Sequence, residues 1–329
     1  MATVGTERGA RRRRRGTGAG LLLAAVLAGG LAAGCTTSDG PGDDGRGSPE
    51  ESPSRGQDVP PVLAVKVDNA PAARPQTGLD AADVVYTEEV EGGSSRLIAV
   101  YATELPDSVG PVRSAREADL ELLRQFDRPL LAYSGAQSKL NPLIEQAPLE
   151  AVTPASEPGA YARDSGRAAP HNLYLRPDRI LDEPPGEAAL TTGFRFGPAP
   201  AGGAARDEMT VRYPAARFTF TWSEDRDRWL VSMDGAPART TDGERMAPAT
   251  VVVQYVTVRS SAFRDFLGNT TPYTETVGSG EATVLRDGRA YEADWERPAA
   301  EDGTSFTTDD GEPLNFARGQ VWVVYAKAP

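Results

Sequence analysis

ADVVYTEEVEGGSSRLIAVYAT, residues Ala82 to Thr103, decides how the chain is read. Two runs of β-branched and aromatic residues flank Gly92-Gly93. In the first, Val84, Tyr86, Glu88 and Val90 share one face, and Val85, Thr87, Glu89 and Glu91 share the other. The second, Arg96 to Thr103, is apolar through its centre. A glycine pair between two such runs reads as a hairpin. Charged residues collect at the turn end of both runs, a place where scaffolds commonly present function.

Working outward, VLAVKV (Val62 to Val67) reads as a buried strand leading into Asp68-Asn69. GPVRSARE (Gly110 to Glu117) reads as a turn and a helix start, with Ser114 as N-cap and Glu117 completing the capping box. The helix carries an apolar stripe of Ala118, Leu122 and Phe126, with Leu123 beside it. PLLAYSG (Pro129 to Gly135) is a further strand. From Met209 onward the pattern is nearly all β. Phe218, Phe220 and Trp222 alternate with threonines, and Trp229, Val231 and Met233 repeat the pattern up to Asp234-Gly235. VVVQYVTV (Val251 to Val258), a hairpin about Asp287-Gly288 and QVWVVYA (Gln320 to Ala326) complete it. The expected class is α+β: a mixed α/β N-terminal domain, residues 61–195, then a mostly antiparallel β C-terminal domain, residues 196–329.

Residues 1–34 read as a signal segment, with a basic run at Arg11 to Arg15 and an apolar stretch from Leu21 to Ala33. The stretch ends in LAAGC (Leu31 to Cys35), which resembles the lipobox of bacterial lipoproteins. That resemblance implies acylation of Cys35, export, and anchoring at the outer face of the cytoplasmic membrane. The other reading is a secretory signal with an incidental cysteine. Residues 35–60 are rich in Gly, Ser, Pro, Asp and Glu and read as a disordered tether. Cys35 is the only cysteine, so no intramolecular disulfide is available. The whole chain carries a net charge of −12, and the six arginines and one glutamate before Cys35 leave about −17 on the remainder. Such a charge repels nucleic acid. An anion would have to be held by a local arginine cluster.

There is one histidine, His171, in APHNLY, which excludes a multi-histidine metal site. No Walker loop, dinucleotide fingerprint or nucleophile elbow appears. His171 is read as a turn or packing residue, as a ligand contact alongside Asn172, or as a catalytic residue. The charged residues of the first half say more. Two arginines, Arg113 and Arg116, flank the expected cap at Ser114, where the helix dipole disfavours cations by about 0.3–1 kcal/mol. One explanation is a salt-bridge network pairing Arg96, Arg113 and Arg116 with Glu88, Glu91 and Asp119. The other is an anion site built from those arginines with Asp68, Asn69, Arg74, Glu88, Glu91, Ser114, His171 and Asn172. No cofactor is required by either.

VKVDNAPAARPQTGLDAADVVYTEEVEGGSSRLIAVY, GPVRSARE and PHNLY resemble the N-terminal domain of the YerB-like lipoproteins, also termed domain of unknown function 3048. VVVQY, GSGEATVLRDGRAYEADWER and LNFARGQVWVVY resemble that family's C-terminal domain. Ser95 stands where the family usually has a threonine, so a hydroxyl is kept. The resemblance implies a two-domain envelope lipoprotein and supplies no reaction. A weaker similarity is to the LytR-CpsA-Psr phosphotransferases, through Asp68, the Ala82-Asp83 pair and PVRSAR. Their P-R-D signature is absent; Pro111-Val112-Arg113-Ser114 stands instead.

Three functions follow. The first is a lipid-anchored envelope protein binding an anionic cell-wall component, or an envelope protein, through its arginine cluster. The second is a metal-assisted phosphotransferase on lipid-linked wall glycopolymers, using Asp68, Asp83, Arg96, Arg113 and Arg116 with a divalent metal. The third is an acidic scaffold whose charges serve only the fold.

Overall fold

A computed structural model describes residues 59–265 and 268–328. The expected signal segment, Cys35 and all but the last two residues of the expected tether lie outside the described residues. The first half contributes strands β1 (Leu63–Asp68), β2 (Val84–Glu89), β3 (Ser95–Tyr101), β4 (Leu130–Ala132) and β5 (Glu150–Val152). It also carries the short pair β6 (Tyr161–Arg163) and β7 (Leu173–Leu175), and two short helices, α1 (Glu117–Leu123) and α2 (Asn141–Gln146). In the second half β8 (Ala204–Ala205), β9 (Glu208–Tyr213), β10 (Ala216–Ser223), β11 (Arg228–Met233) and β12 (Ala236–Pro237) come first. They are followed by β13 (Thr250–Val256), β14 (Val258–Arg264), β15 (Thr270–Thr274), β16 (Gly278–Arg286), β17 (Arg289–Arg297), β18 (Ser305–Thr307) and β19 (Val321–Lys327). The fold is β-rich, leaning more heavily on strands than the expected α+β class.

The hairpin quoted above forms β2 and β3, and it lies near the middle of an 11-stranded sheet. The order along that sheet is β18-β17-β16-β13-β19-β2-β3-β1-β4-β5, with β8 paired to β17. The C-terminal strand β19 runs parallel to both β13 and β2, so it joins the strands of the two sequence halves. The sheet therefore crosses the sequence boundary at 195–196, and the second half is not purely antiparallel. Gln320 reinforces the join by donating from Nε2 to the carbonyls of Leu79 and Ala82, at 2.7 and 2.8 Å.

Both faces of this sheet are buried, which explains strands that read as nearly continuous apolar runs. Leu63, Val65, Leu97, Ala99, Trp322 and Val324 pack in one core with Phe218, Phe220, Trp229 and Val231 of the four-stranded sheet β12-β11-β10-β9. Ala64, Ile98, Val100, Val321 and Val323 pack in the other with Leu122, Leu123, Phe126 and Ile144 of the helical side. Phe194, Phe306 and Phe316 also join that second core, with ring centroids 5.0–5.9 Å apart. The chain around Phe194, next to the expected domain boundary, is thus packed.

Helix α1 starts later than the expected cap. Arg116, not Ser114, is its N-cap residue, and the Arg116 backbone N–H donates to Oδ2 of Asp119 at 2.7 Å. Ser114 lies before the helix, between two residues held by backbone hydrogen bonds. Arg113 N–H donates to the Lys66 carbonyl at 2.8 Å, and Ala115 N–H to the Gly135 carbonyl at 3.0 Å. The stripe also ends early, because Arg124 caps the helix before Phe126.

Candidate functional site

Asp68 closes β1 and is fully buried, paired in register with Arg96 of β3. The segment Gly110–Ala115 runs beside the same strand end, with Asp68 N–H donating to the Pro111 carbonyl at 2.8 Å. A Cβ on Gly110 would come within 2.7 Å of the Tyr174 ring and 2.9 Å of the Leu173 carbonyl, so glycine permits the close approach. This carries Arg113 to Asp68, and the β7 segment carries His171 there.

The Asp68 carboxylate is the hub. Its Oδ2 lies 2.7 Å from His171 Nδ1 and 3.1 Å from Arg113 Nε; its Oδ1 lies 3.4 Å from Arg96 Nη1. Oδ1 also accepts the Ala70 backbone N–H at 3.1 Å. Burial works to raise the Asp68 pKa. Arg96, the Ala70 N–H, Arg113 and His171 outweigh burial and hold it below the ordinary carboxylate value. Two arginines and a histidine thus converge on one carboxylate. The pairing does not exhaust their donors: the buried Nε atoms of Arg96 and Arg113 have no hydrogen-bond partner among the described residues. Arg113 Nε is close enough to Oδ2 for an ion pair, but its N–H is not aimed along that line. The Arg113 and His171 side chains retain 21 % and 22 % exposure, so one edge of the cluster reaches solvent, while the two Nε atoms themselves are buried. Burial lowers the Arg96 pKa; Asp68 opposes that effect, and repulsion from Arg113 and Arg116 adds to it.

Asn69 and Arg74 extend the cluster. Arg74 donates from Nε to Asn69 Oδ1 at 3.1 Å and from Nη2 to the Asn69 carbonyl at 2.8 Å. Asn69 Nδ2 donates to Ser95 Oγ at 2.8 Å, which is the use this chain makes of that hydroxyl. Gln76 donates to both Asn69 Oδ1 and the Asp68 carbonyl.

The other expected site residues are placed differently. Arg116 is ion-paired fork to fork with Glu91, at 2.7 and 2.9 Å, and Thr271 donates to the same carboxylate at 2.6 Å. Its remaining donor, Nη1, is taken by the carbonyls of Ser114 and Ala115. Glu88 is buried against Lys66, whose Nζ also reaches Asp119 at 2.6 Å. One ammonium cannot neutralise two carboxylates, and burial pushes Glu88 up to about 7, with the Asp119 charge adding to the effect and Lys66 opposing it. The Ser114 side chain makes no hydrogen bond among the described residues. Asn172 ties its own loop, accepting from Arg163 at 2.7 Å and donating to the carbonyls of Asp164 and Arg167.

Asp83 lies at the opposite end of the hairpin, where its carboxylate binds the backbone N–H groups of Ala102 and Thr103. Four register steps separate Val84↔Val100 from Glu88↔Arg96, or about 13 Å of strand. Asp83 and Asp68 therefore do not share a site, and no group of three or more His, Cys, Asp or Glu among the described residues has a metal-holding arrangement. The sequence reading missed Lys66 and Gln76. A signal for the first was present: a lysine inside VLAVKV, in a chain whose cations are almost all arginine.

Comparison with known proteins shows the family. Residues 47–189 match the N-terminal domain of the protein of unknown function DUF3048, and residues 209–323 match its C-terminal domain. The chain belongs to the DUF3048 family. It is 27 % identical over 276 residues to a Bacillus subtilis (strain 168) protein named "Putative lipoprotein YerB", covering 79 % of this chain and 80 % of that one. The crystal structure of YerB from Bacillus subtilis superposes with a TM-score of 0.67 at 22 % identity, over 80 % of this chain and 90 % of the other. That likeness carries the fold. No helix among the described residues is long and apolar enough to cross a membrane.

Proposed function

We propose that this DUF3048 protein is a lipid-anchored extracytoplasmic envelope protein that binds an anionic, phosphate- or carboxylate-bearing ligand through Asp68, Arg96, Arg113 and His171. The observation that carries the reading is the imbalance at Asp68: two guanidinium groups and an imidazole on one carboxylate, with both arginine Nε donors unsatisfied. An oxyanion reaching the exposed part of Arg113 would supply a second anion to two guanidinium groups that share Asp68. Asp68 then serves as positioning group, holding the cations in place until a ligand arrives. Arg116 and Glu91 buttress the cluster. The anchor is the expected acyl group on Cys35, supported by the lipoprotein name of the Bacillus subtilis relative.

The test is thermal unfolding of residues 36–329, wild type against Arg113→Gln, with phosphate and pyrophosphate. A ligand at 100 times its Kd stabilises by about 2.7 kcal/mol, a shift of several degrees at this size. The shift is expected in wild type and absent in the variant. A wild type that neither anion moves would refute the reading.

A further inference from the structure

A second set of uncompensated cations lies on the outer face of the four-stranded sheet. Arg212 of β9 stands directly opposite Arg217 of β10. Like charges at opposed positions repel, and neither guanidinium has a partner among the described residues. The nearby Asp234 is already engaged: Oδ1 accepts the Arg217 backbone N–H and Oδ2 accepts Arg74 Nη1, both at 2.8 Å. Arg212, Arg217, Pro214 and Asp234 help line a shallow, open surface depression of about 360 Å³.

This depression is joined to the Asp68 cluster. Arg74 binds Asp234 with one nitrogen and the Asn69 carbonyl with another. Ala215 N–H, in the β9–β10 turn, donates to the Gly93 carbonyl at 2.8 Å, just before the segment that leads into Arg96. Five arginines (Arg74, Arg96, Arg113, Arg212 and Arg217) thus face two aspartates on connected ground, in a chain whose net charge is −12. A compact anion at Asp68 would leave the Arg212–Arg217 repulsion unrelieved.

Resting on the reading above, we propose that the ligand is an extended polyanion. One anionic group sits at Arg96 and Arg113, and a later group on the same chain sits at Arg212 and Arg217. Tethering makes the second contact intramolecular, which raises affinity without a change in either site.

The experiment is a binding titration of residues 36–329 at constant ionic strength. The probes are inorganic phosphate, long-chain polyphosphate and polyglutamate. The variants are R212T/R217T and, as a charge-matched control, R179T/R318T, which removes two exposed arginines elsewhere. Threonine already occupies the neighbouring outward positions Thr210 and Thr219, so the fold should be retained. Wild type is expected to bind one of the polymers about 10-fold or more tighter than phosphate, counted per anionic group. R212T/R217T is expected to lose that advantage and keep its phosphate affinity, while the control keeps both. The polymer that shows the effect identifies the group as phosphate or carboxylate. Polymer binding that R212T/R217T leaves intact, or that the control weakens equally, overturns the inference while phosphate binding still supports the Asp68 site. Absence of binding to every probe overturns both.

Discussion

Glu88→Gln tests the buried charge arrangement beneath the candidate site. Glu88 and Asp119 share Lys66, and burial raises the Glu88 pKa from 4.5 to about 7. The direction of the pH effect follows from proton counting. Between those two values the folded protein holds a proton that the unfolded chain has lost, so stability falls as pH rises. One proton costs about 1.4 kcal/mol for each pH step of one across that window, so the whole loss is about 3 kcal/mol. Asp68 acts in the opposite sense and elsewhere: its lowered pKa gives stability that is present above 3.8 and lost as pH falls through its folded value. Glutamine keeps the shape of Glu88 and an acceptor for Lys66, and cannot titrate. Urea unfolding of residues 36–329, followed by tryptophan fluorescence at pH 5 and pH 8, reads the effect. Relative to wild type, Glu88→Gln should be favoured at pH 8 over pH 5 by about 3 kcal/mol. An equal difference at the two pH values would refute the assignment of the proton to this buried cluster.

Two further outcomes concern the fold. Lys66→Met leaves two buried carboxylates without their cation and should cost about 3–5 kcal/mol by the same urea assay; a loss under about 1 kcal/mol would mean that the pair is solvated. Gly92 and Gly93 share a left-handed backbone, at φ 71° and 68°, but a Cβ on Gly93 would lie 2.4 Å from Pro214, whereas Gly92 faces open space. Both alanine variants incur the backbone strain of about 1–3 kcal/mol, and Gly93→Ala should lose more than Gly92→Ala. Equal losses would show that the contact with the β9–β10 turn yields freely.

The strands were legible because period-two alternation and glycine turns are local signals. Val84 to Tyr101 folds as the hairpin its alternation implies, and Asp287-Gly288 joins β16 to β17 as a turn. Strand order was not legible. QVWVVYA reads as a strand, but no feature of its seven residues says that it inserts between β13 and β2. The helix cap was misplaced by two residues because Asp119 competes with Glu117 for the role of the returning carboxylate, and the extended pairing of Arg113 with Lys66 decides between them. That same pairing resolves the two arginines flanking Ser114. Arg116 is matched to Glu91 within the fold, and Arg113 is turned to Asp68. Sequence spacing alone could not separate those fates, since each depends on a partner more than 20 residues away.

The most direct test of the anion site uses the chain's one histidine. His171 Nδ1 lies 2.7 Å from the carboxylate that also holds Arg96 and Arg113, so its ring reports from the centre of the cluster. Proton and nitrogen NMR of the imidazole in untagged protein would be followed as phosphate is added at fixed pH and ionic strength. Saturable movement of the ring signals in wild type, absent in Arg113→Gln, is the expected result. Ring signals that stay fixed throughout the titration would contradict an anion site at Asp68.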